Sequence, residues 1–511
     1  MAGAEKLPIV YVRGFAGDTA GIDKVVTDPF YGFNEGSTHI RIGPENQPYF
    51  YQFESPLLRL HLDEGYQILV DGGQEAYLAT HDRVPPDSIW VHRFYDTSAT
   101  TWGRQPREFR LETAAQDLLR LIETLRAKSG APRVHLVAHS MGGLVCRCLI
   151  QKVLPDLGRD PADWVGKFFT YGTPHGGIAF DAGFGLLERL RDLTGINGAD
   201  VFGPERMYAY LTPTELRAPD GPPGDWDPRA MPTDRPLAFP LERVFCLIGT
   251  DPADYDVARG LSSAAVGPRS DGLVQIDNAY VPGAHVAYVH RSHSGRYGLV
   301  NSEEGYQNLR RFLFGDRRVE AALVGHRLSR TSDTTWQAEV RLSVRGLYIV
   351  MHERTSDQWC PIQLPDGKGS RTEEVADEDR PVPLVDAFLC SGLRTGGSDT
   401  LRYALHLRVL SLRRRDGLLS FRDHLEQTAD FDDILIVDVD AEATAATPTL
   451  SAAWNSNITG PISDYRPTGE RGLADEQSAA GIWVNHIDLP ASAGPILGES
   501  ARIRLTVTPW E

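Results

Sequence analysis

Val134-His135-Leu136-Val137-Ala138-His139-Ser140-Met141-Gly142-Gly143 is the stretch on which the reading of this chain turns. Its first positions are apolar or β-branched enough for a short buried strand. Ser140 then stands between small residues, and Leu144, Val145, Leu149, Ile150, Val153 and Leu154 follow at helical spacing. The pattern is strand, sharp turn, helix, with a hydroxyl at the apex. Such a turn strains the serine backbone and leaves no room for bulk two residues to either side, a demand that Ala138 and Gly142 meet. A chance serine in a strand-to-helix loop is the plain alternative. The flanking periodicity favours a nucleophile.

Working outward, a strand at Ile9–Val12 empties into Arg13-Gly14-Phe15-Ala16-Gly17. A glycine-bearing loop in that place can turn a backbone N–H toward developing negative charge. From about Asp18 to Gln67 the pattern is irregular, yet Pro29-Phe30-Tyr31-Gly32-Phe33 and Pro48-Tyr49-Phe50-Tyr51 are too aromatic for disorder. An ordered excursion walling the active site is expected there. Ile68-Leu69-Val70 and Ile89 to Asp96 read as strands, and Leu111 to Lys128 as a helix with Ala115, Leu118, Leu119, Ile122 and Leu125 on its apolar stripe. Lys167 to Tyr171 is a further strand, leading into Gly172-Thr173-Pro174-His175-Gly176-Gly177. Strands alternating with helices imply a largely parallel sheet covered on both faces, an α/β fold.

Residues 178–240 interrupt that rhythm with Phe184, Leu187, Leu190 and Leu193 on a short helix and then a proline-rich tract. An amphipathic lid and a decorative insertion are equally open. The sheet resumes at Val244–Gly249, is expected to continue through Asp271-Gly272-Leu273-Val274, and returns at Val286–Val289 before a helix over about Ser302–Phe314.

A serine hydroxyl is a weak nucleophile and needs an imidazole, which needs an oriented carboxylate. Asp271, before a glycine that permits a tight loop, is preferred as the acid over Asp251 and Asp277. For the base, His290 at a strand end competes with His293 one short loop beyond, and the loop position suits a ring that swings over the serine. His139 is expected to point away from the substrate, and His175 to shape the floor of the site.

From about residue 319 the period changes from that of helices to that of strands. Trp336, Ala338, Val340, Leu342 and Val344 alternate with polar residues, as do Leu401, Tyr403, Leu405, Leu407 and Val409. This reads as an antiparallel sandwich, with no catalytic constellation. The acidic run at Glu373-Glu374 and Asp377-Glu378-Asp379 lacks calcium-loop spacing and reads as a solvated loop. A net charge of −17 over 511 residues argues against nucleic acid and against simple adhesion to anionic membranes, while leaving brief apolar contact with a lipid surface open. No apolar run is long enough to span a bilayer and the N-terminus lacks a signal peptide's core, so a cytoplasmic protein is expected. The five cysteines show no framework spacing and read as buried thiols in a reducing compartment.

Together, Ala138-His139-Ser140-Met141-Gly142-Gly143, Tyr171-Gly172-Thr173-Pro174-His175-Gly176-Gly177 and Ser270-Asp271-Gly272-Leu273-Val274 resemble bacterial lipases and esterases of the α/β-hydrolase superfamily, in the subgroup similar to GPI inositol-deacylases. The resemblance covers about residues 7–315. It implies a catalytic domain over 1–317, with 178–240 inserted, and leaves 318–511 as a separate β domain. It also implies Ser140 as nucleophile, Asp271 as acid, His293 as base, and the N–H groups of Phe15 and Met141 as the oxyanion hole, with no metal or organic cofactor. Ala138 departs from the glycine of the usual G-x-S-x-G, and Arg13 stands where such lipases usually carry histidine. Hydrolysis of an ester or lipid is the expected reaction. Acyl transfer to an alcohol, amide cleavage and a non-enzymatic binding role on the same fold remain alternatives.

Overall fold

Runs of residues buried on both faces build the centre of the N-terminal part. The structure is a computed structural model and describes residues 6–14, 26–42, 45–69, 73–97, 110–178, 201–254, 266–328, 334–364, 381–394, 400–413, 429–440, 450–465, 473, 475–476 and 481–511. The chain divides into two compact units, residues 1–286 with 290–309, and residues 287–289 with 310–511.

In chain order the first part contains β1 (Ile9–Val12), β2 (Ser37–Ile42), β3 (Pro48–Phe53), α1 (Pro56–Glu64), β4 (Gln67–Ile68), α2 (Gln74–Thr80), β5 (Ser88–Val91), α3 (Leu111–Ser129), β6 (Val134–His139), α4 (Met141–Cys148), β7 (Val165–Tyr171), α5 (Pro204–Leu211), β8 (Val244–Gly249), β9 (His285–Val289) and α6 (Glu303–Phe314). Seven strands form one sheet in the order β4-β5-β1-β6-β7-β8-β9. Every pair whose register is described is parallel. All residues of β1, β5, β6, β7 and β8 are buried, as a sheet covered on both faces requires. The α3 stripe is buried as its periodicity predicts, and Gly130 ends the helix at φ 74°. This is the α/β-hydrolase architecture, and β6 with α4 stands at its middle.

Several expected elements differ. The strand expected over Ile89–Asp96 stops at Val91, and Phe94–Thr97 is a 3₁₀ turn. The cause lies in Arg93, which bonds Asp96 three residues on and also donates to the carbonyls of Val26, Asp28 and Pro29. Residues 270–274 are a turn and not a strand, because Asp271 Oδ1 accepts the N–H groups of Leu273 and Val274. The stretch expected to be irregular holds the β2–β3 hairpin and α1, the latter capped by Ser55 and closed by Gly65 at φ 70°. Of the strand expected at Ile68–Val70, only Gln67–Ile68 forms, and Val70 lies outside the described residues. The residues Phe184, Leu187, Leu190 and Leu193 and the acidic run at 373–379 also lie outside them.

The C-terminal unit is antiparallel throughout its described pairs. Its strands are β10 (Arg317–Val324), β11 (Thr334–Val344), β12 (Val350–Arg354), β13 (Ile362–Leu364), β14 (Val382–Leu389), β15 (Thr400–Arg413), β16 (Phe431–Asp440), β17 (Leu450–Trp454), β18 (Trp483–Asp488) and β19 (Arg502–Pro509). They form the sheets β14-β10-β19-β18 and β12-β11-β15-β16-β17, with β13 on β11. One apolar cluster draws on both sheets, with Leu323, Leu384 and Leu505 from the first and Val340, Leu405 and Val437 from the second. Among the polar side chains buried in the strands, Glu339 takes Arg408 and the Ser356 N–H, and Asp438 takes Arg402.

Candidate active site

At the end of β6 the chain enters α4 through Ser140, whose φ of 55° and ψ of −132° lie where a residue with a side chain is strained. The loop after β7 helps to hold that strain. Ser140 N–H donates to the Tyr171 carbonyl at 2.9 Å, and the Thr173 hydroxyl donates to the Ser140 carbonyl at 2.9 Å. Met141 opens α4, so its N–H is among those a helix leaves without an internal acceptor. Gly14 lies against the nucleophile, where a Cβ would fall 2.3 Å from Ser140 Cβ and 2.9 Å from its Oγ. Arg13 donates to the Tyr31 carbonyl, tying the loop after β1 to the aromatic excursion. Phe15, expected to supply the second oxyanion donor, lies outside the described residues.

Three side chains far apart in the sequence meet at the elbow. His293 Nδ1 is 2.8 Å from Asp271 Oδ2, and its Nε2 is 2.9 Å from Ser140 Oγ. Ser140, Asp271 and His293 are 6%, 1% and 2% exposed, so water competes little for these bonds. With Nδ1–H donating to the carboxylate, Nε2 turns its lone pair to the serine hydroxyl. The carboxylate is fixed in turn, because Oδ1 accepts from Leu273 N–H at 3.1 Å and Val274 N–H at 2.8 Å. Gly172, at φ 51°, backs the pair, and a Cβ there would lie 2.8 Å from Asp271 Oδ2 and 3.2 Å from His293 Nδ1.

The rivals sit elsewhere. His290 is exposed. Asp251 spends Oδ1 on the N–H groups of Ala253 and Asp254, a local turn. Asp277 pairs with Arg269 at an exposed position. His175 is fully buried, with Nε2 3.2 Å from Thr170 Oγ1, and burial followed by the nearby Arg147 holds its pKa well below the usual value. His139 lines a cavity of about 50 Å³ together with Arg13, Tyr31, Ser294 and Asn301, and its Nε2 bonds the His293 carbonyl, a contact the sequence did not suggest. The parts that sequence reasoning missed are Thr173 and Arg147. Thr173 lay in a quoted motif with no role assigned. Arg147 is completely buried and donates to the carbonyls of His175, Pro228 and Ala230. Among the described residues no group of three or more His, Cys, Asp or Glu side chains is arranged to hold a metal ion.

Sheet order, strained elbow, and an acid and imidazole from later loops together define an α/β-hydrolase fold with a serine at its apex. Solved structures similar to the chain include Bacillus licheniformis lipase BlEst2, at 13% identity over 61% of this chain and 94% of that one, with a TM-score of 0.33. The product of gene lin2722 from Listeria innocua is 13% identical over 60% of this chain and 94% of its own, with a TM-score of 0.27. Aspergillus fumigatus lipase B is 13% identical over 56% of this chain and 44% of its own, with a TM-score of 0.25. No family model matches the chain.

Proposed function

We propose that this chain is a serine hydrolase of carboxylic esters, working through Ser140, His293 and Asp271. The observation that carries the reading is the single imidazole spanning 2.8 Å to a buried carboxylate and 2.9 Å to a strained serine hydroxyl. Ser140 Oγ attacks the ester carbonyl carbon while its proton passes to His293 Nε2. The tetrahedral oxyanion is held by the N–H groups of Met141 and Phe15, each such donor being worth about 2.7–4 kcal/mol of barrier. The leaving alkoxide takes the proton from Nε2 and departs as the alcohol. Water, deprotonated by the same nitrogen, then opens the acyl-enzyme to acid and free serine. Asp271 holds the tautomer and stabilises the imidazolium without itself being protonated.

Lipid-like or other apolar esters are the proposed substrates, a reading supported by the leucine-bearing segment at Phe184, Leu187, Leu190 and Leu193. A series of p-nitrophenyl esters of rising acyl length tests both parts. Hydrolysis lost in Ser140→Ala, together with a preference for long chains that weakens when Leu187 and Leu190 become serine, is the expected result. Hydrolysis that survives Ser140→Ala overturns the mechanism, and long-chain rates unchanged in the leucine variants overturn the substrate class.

A further inference from the structure

The peptide groups on both sides of the His293 Cα are held, one by Asp271 itself and the other by the residue before Ser140. The His293 N–H donates to the Asp271 carbonyl at 2.8 Å. The His293 carbonyl accepts Nε2–H of His139, the residue directly before Ser140, at 2.9 Å. The two rings lie 4.9 Å apart and 40° from parallel. The loop carrying the base is thereby fastened to the strand carrying the nucleophile, by a bond that is not part of the proton relay. Gly295, two residues beyond the base, turns the loop at a φ of 88° that few other residues adopt.

His139 suits the task chemically. A ring that donates from Nε2 while neutral adds no second cation beside the imidazolium formed at His293. Burial, then the neighbouring His293, holds the His139 pKa well below the usual value, which keeps the ring neutral. The side chain is only 9% exposed, so the bond is shielded from water.

We propose that His139 is a positioning residue for the base: its Nε2–H fixes the His293 main chain so that Nε2 of His293 stays within reach of Ser140. The inference rests on the serine-hydrolase reading above. A reacting group displaced by about 1 Å costs on the order of a hundredfold in rate, and a loop freed at one peptide group has that latitude.

The test compares the full chain with His139→Leu, which removes the donor, and His139→Gln, whose amide places an N–H near the same point. Turnover of p-nitrophenyl butyrate is measured per active site titrated with a fluorophosphonate, so that loss of folded protein does not enter, and thermal melting is followed alongside. His139→Leu is expected to lose about ten- to a hundredfold in kcat with KM little changed, and His139→Gln to recover most of it. Native kcat in His139→Leu, or a His139→Gln as slow as His139→Leu, overturns the proposal while leaving the hydrolase reading in place. A folded native chain that neither turns over the ester nor labels at Ser140 removes both.

Discussion

Asp271 has two tasks on its two oxygens, and they can be separated. Asn at 271 can keep the acceptor for Leu273 and Val274 N–H while turning an amide N–H toward His293 Nδ1. The imidazole is then held in the wrong tautomer. Asp271→Asn is expected to cost about 10⁴-fold in kcat with near-native melting, and a loss under tenfold would contradict the assignment. Gly172→Ala is expected to fail differently. Its Cβ would enter 2.8 Å from Asp271 Oδ2 at a φ of 51°, so a stability loss of about 1–3 kcal/mol in a denaturant titration should accompany the loss of turnover. Ser140 and Asp271 were legible because each stands in a short motif with a glycine or other small residue where the turn needs one. The choice between His290 and His293 was open because spacing places both beside one strand end. Only the folded loop shows that ring 290 turns to solvent and ring 293 inward. The bond His139 makes was hidden for a related reason, since its partner is a main-chain carbonyl 154 residues away.

Among the elements, α4 carries the least obvious side chain. Arg147, on an otherwise apolar helix, is completely buried and has no described carboxylate partner. It fastens residues 228–230 of the proline-rich tract to the elbow helix, and burial lowers its pKa to about 10. Arg147→Met fills similar space but orphans those carbonyls, each costing about 1–3 kcal/mol when buried without a donor. Limited proteolysis should then cut within residues 201–240 far sooner than in the native chain, and an unchanged cleavage pattern would contradict the fastening role. The buried strands β1, β6, β7 and β8 were legible as apolar runs, and α3 by its stripe. The β2–β3 hairpin was not, because it alternates poorly and leaves Ile40, Tyr49 and Phe50 exposed. The α1 signals, Ser55-Pro56 and Gly65, were present but lay inside a stretch too mixed in composition to stand out.

Over the whole molecule, the change of period near residue 319 was the legible feature, because antiparallel strands with one polar face write an alternation that parallel strands buried on both faces do not. Less visible was how many histidines fold into dry surroundings. Burial lowers the pKa of His92 to about 4 and of His135 to about 3, and holds His139 and His175 well below the usual value. In the unfolded chain these rings titrate near about 6.5. Above that pH both states are neutral and the full stability is present. Below it the unfolded state takes up protons that the folded state refuses, so stability is lost as pH falls toward the folded values. Each ring contributes a slope of about 1.4 kcal/mol per pH unit within that window. Melting temperature is therefore expected to be flat from pH 8 to 7 and to fall progressively from 6.5 toward 4. A melting temperature constant down to pH 4.5 would contradict neutral burial of these rings.

The central claim, one activated serine driven by one particular histidine, is tested most directly by fluorophosphonate labelling of the full chain, with the adduct located by peptide mass spectrometry. The account predicts a single adduct on Ser140, absent from Ser140→Ala and His293→Ala and retained in His290→Ala. An adduct on another serine, labelling that persists in His293→Ala, or labelling lost in His290→Ala would contradict it.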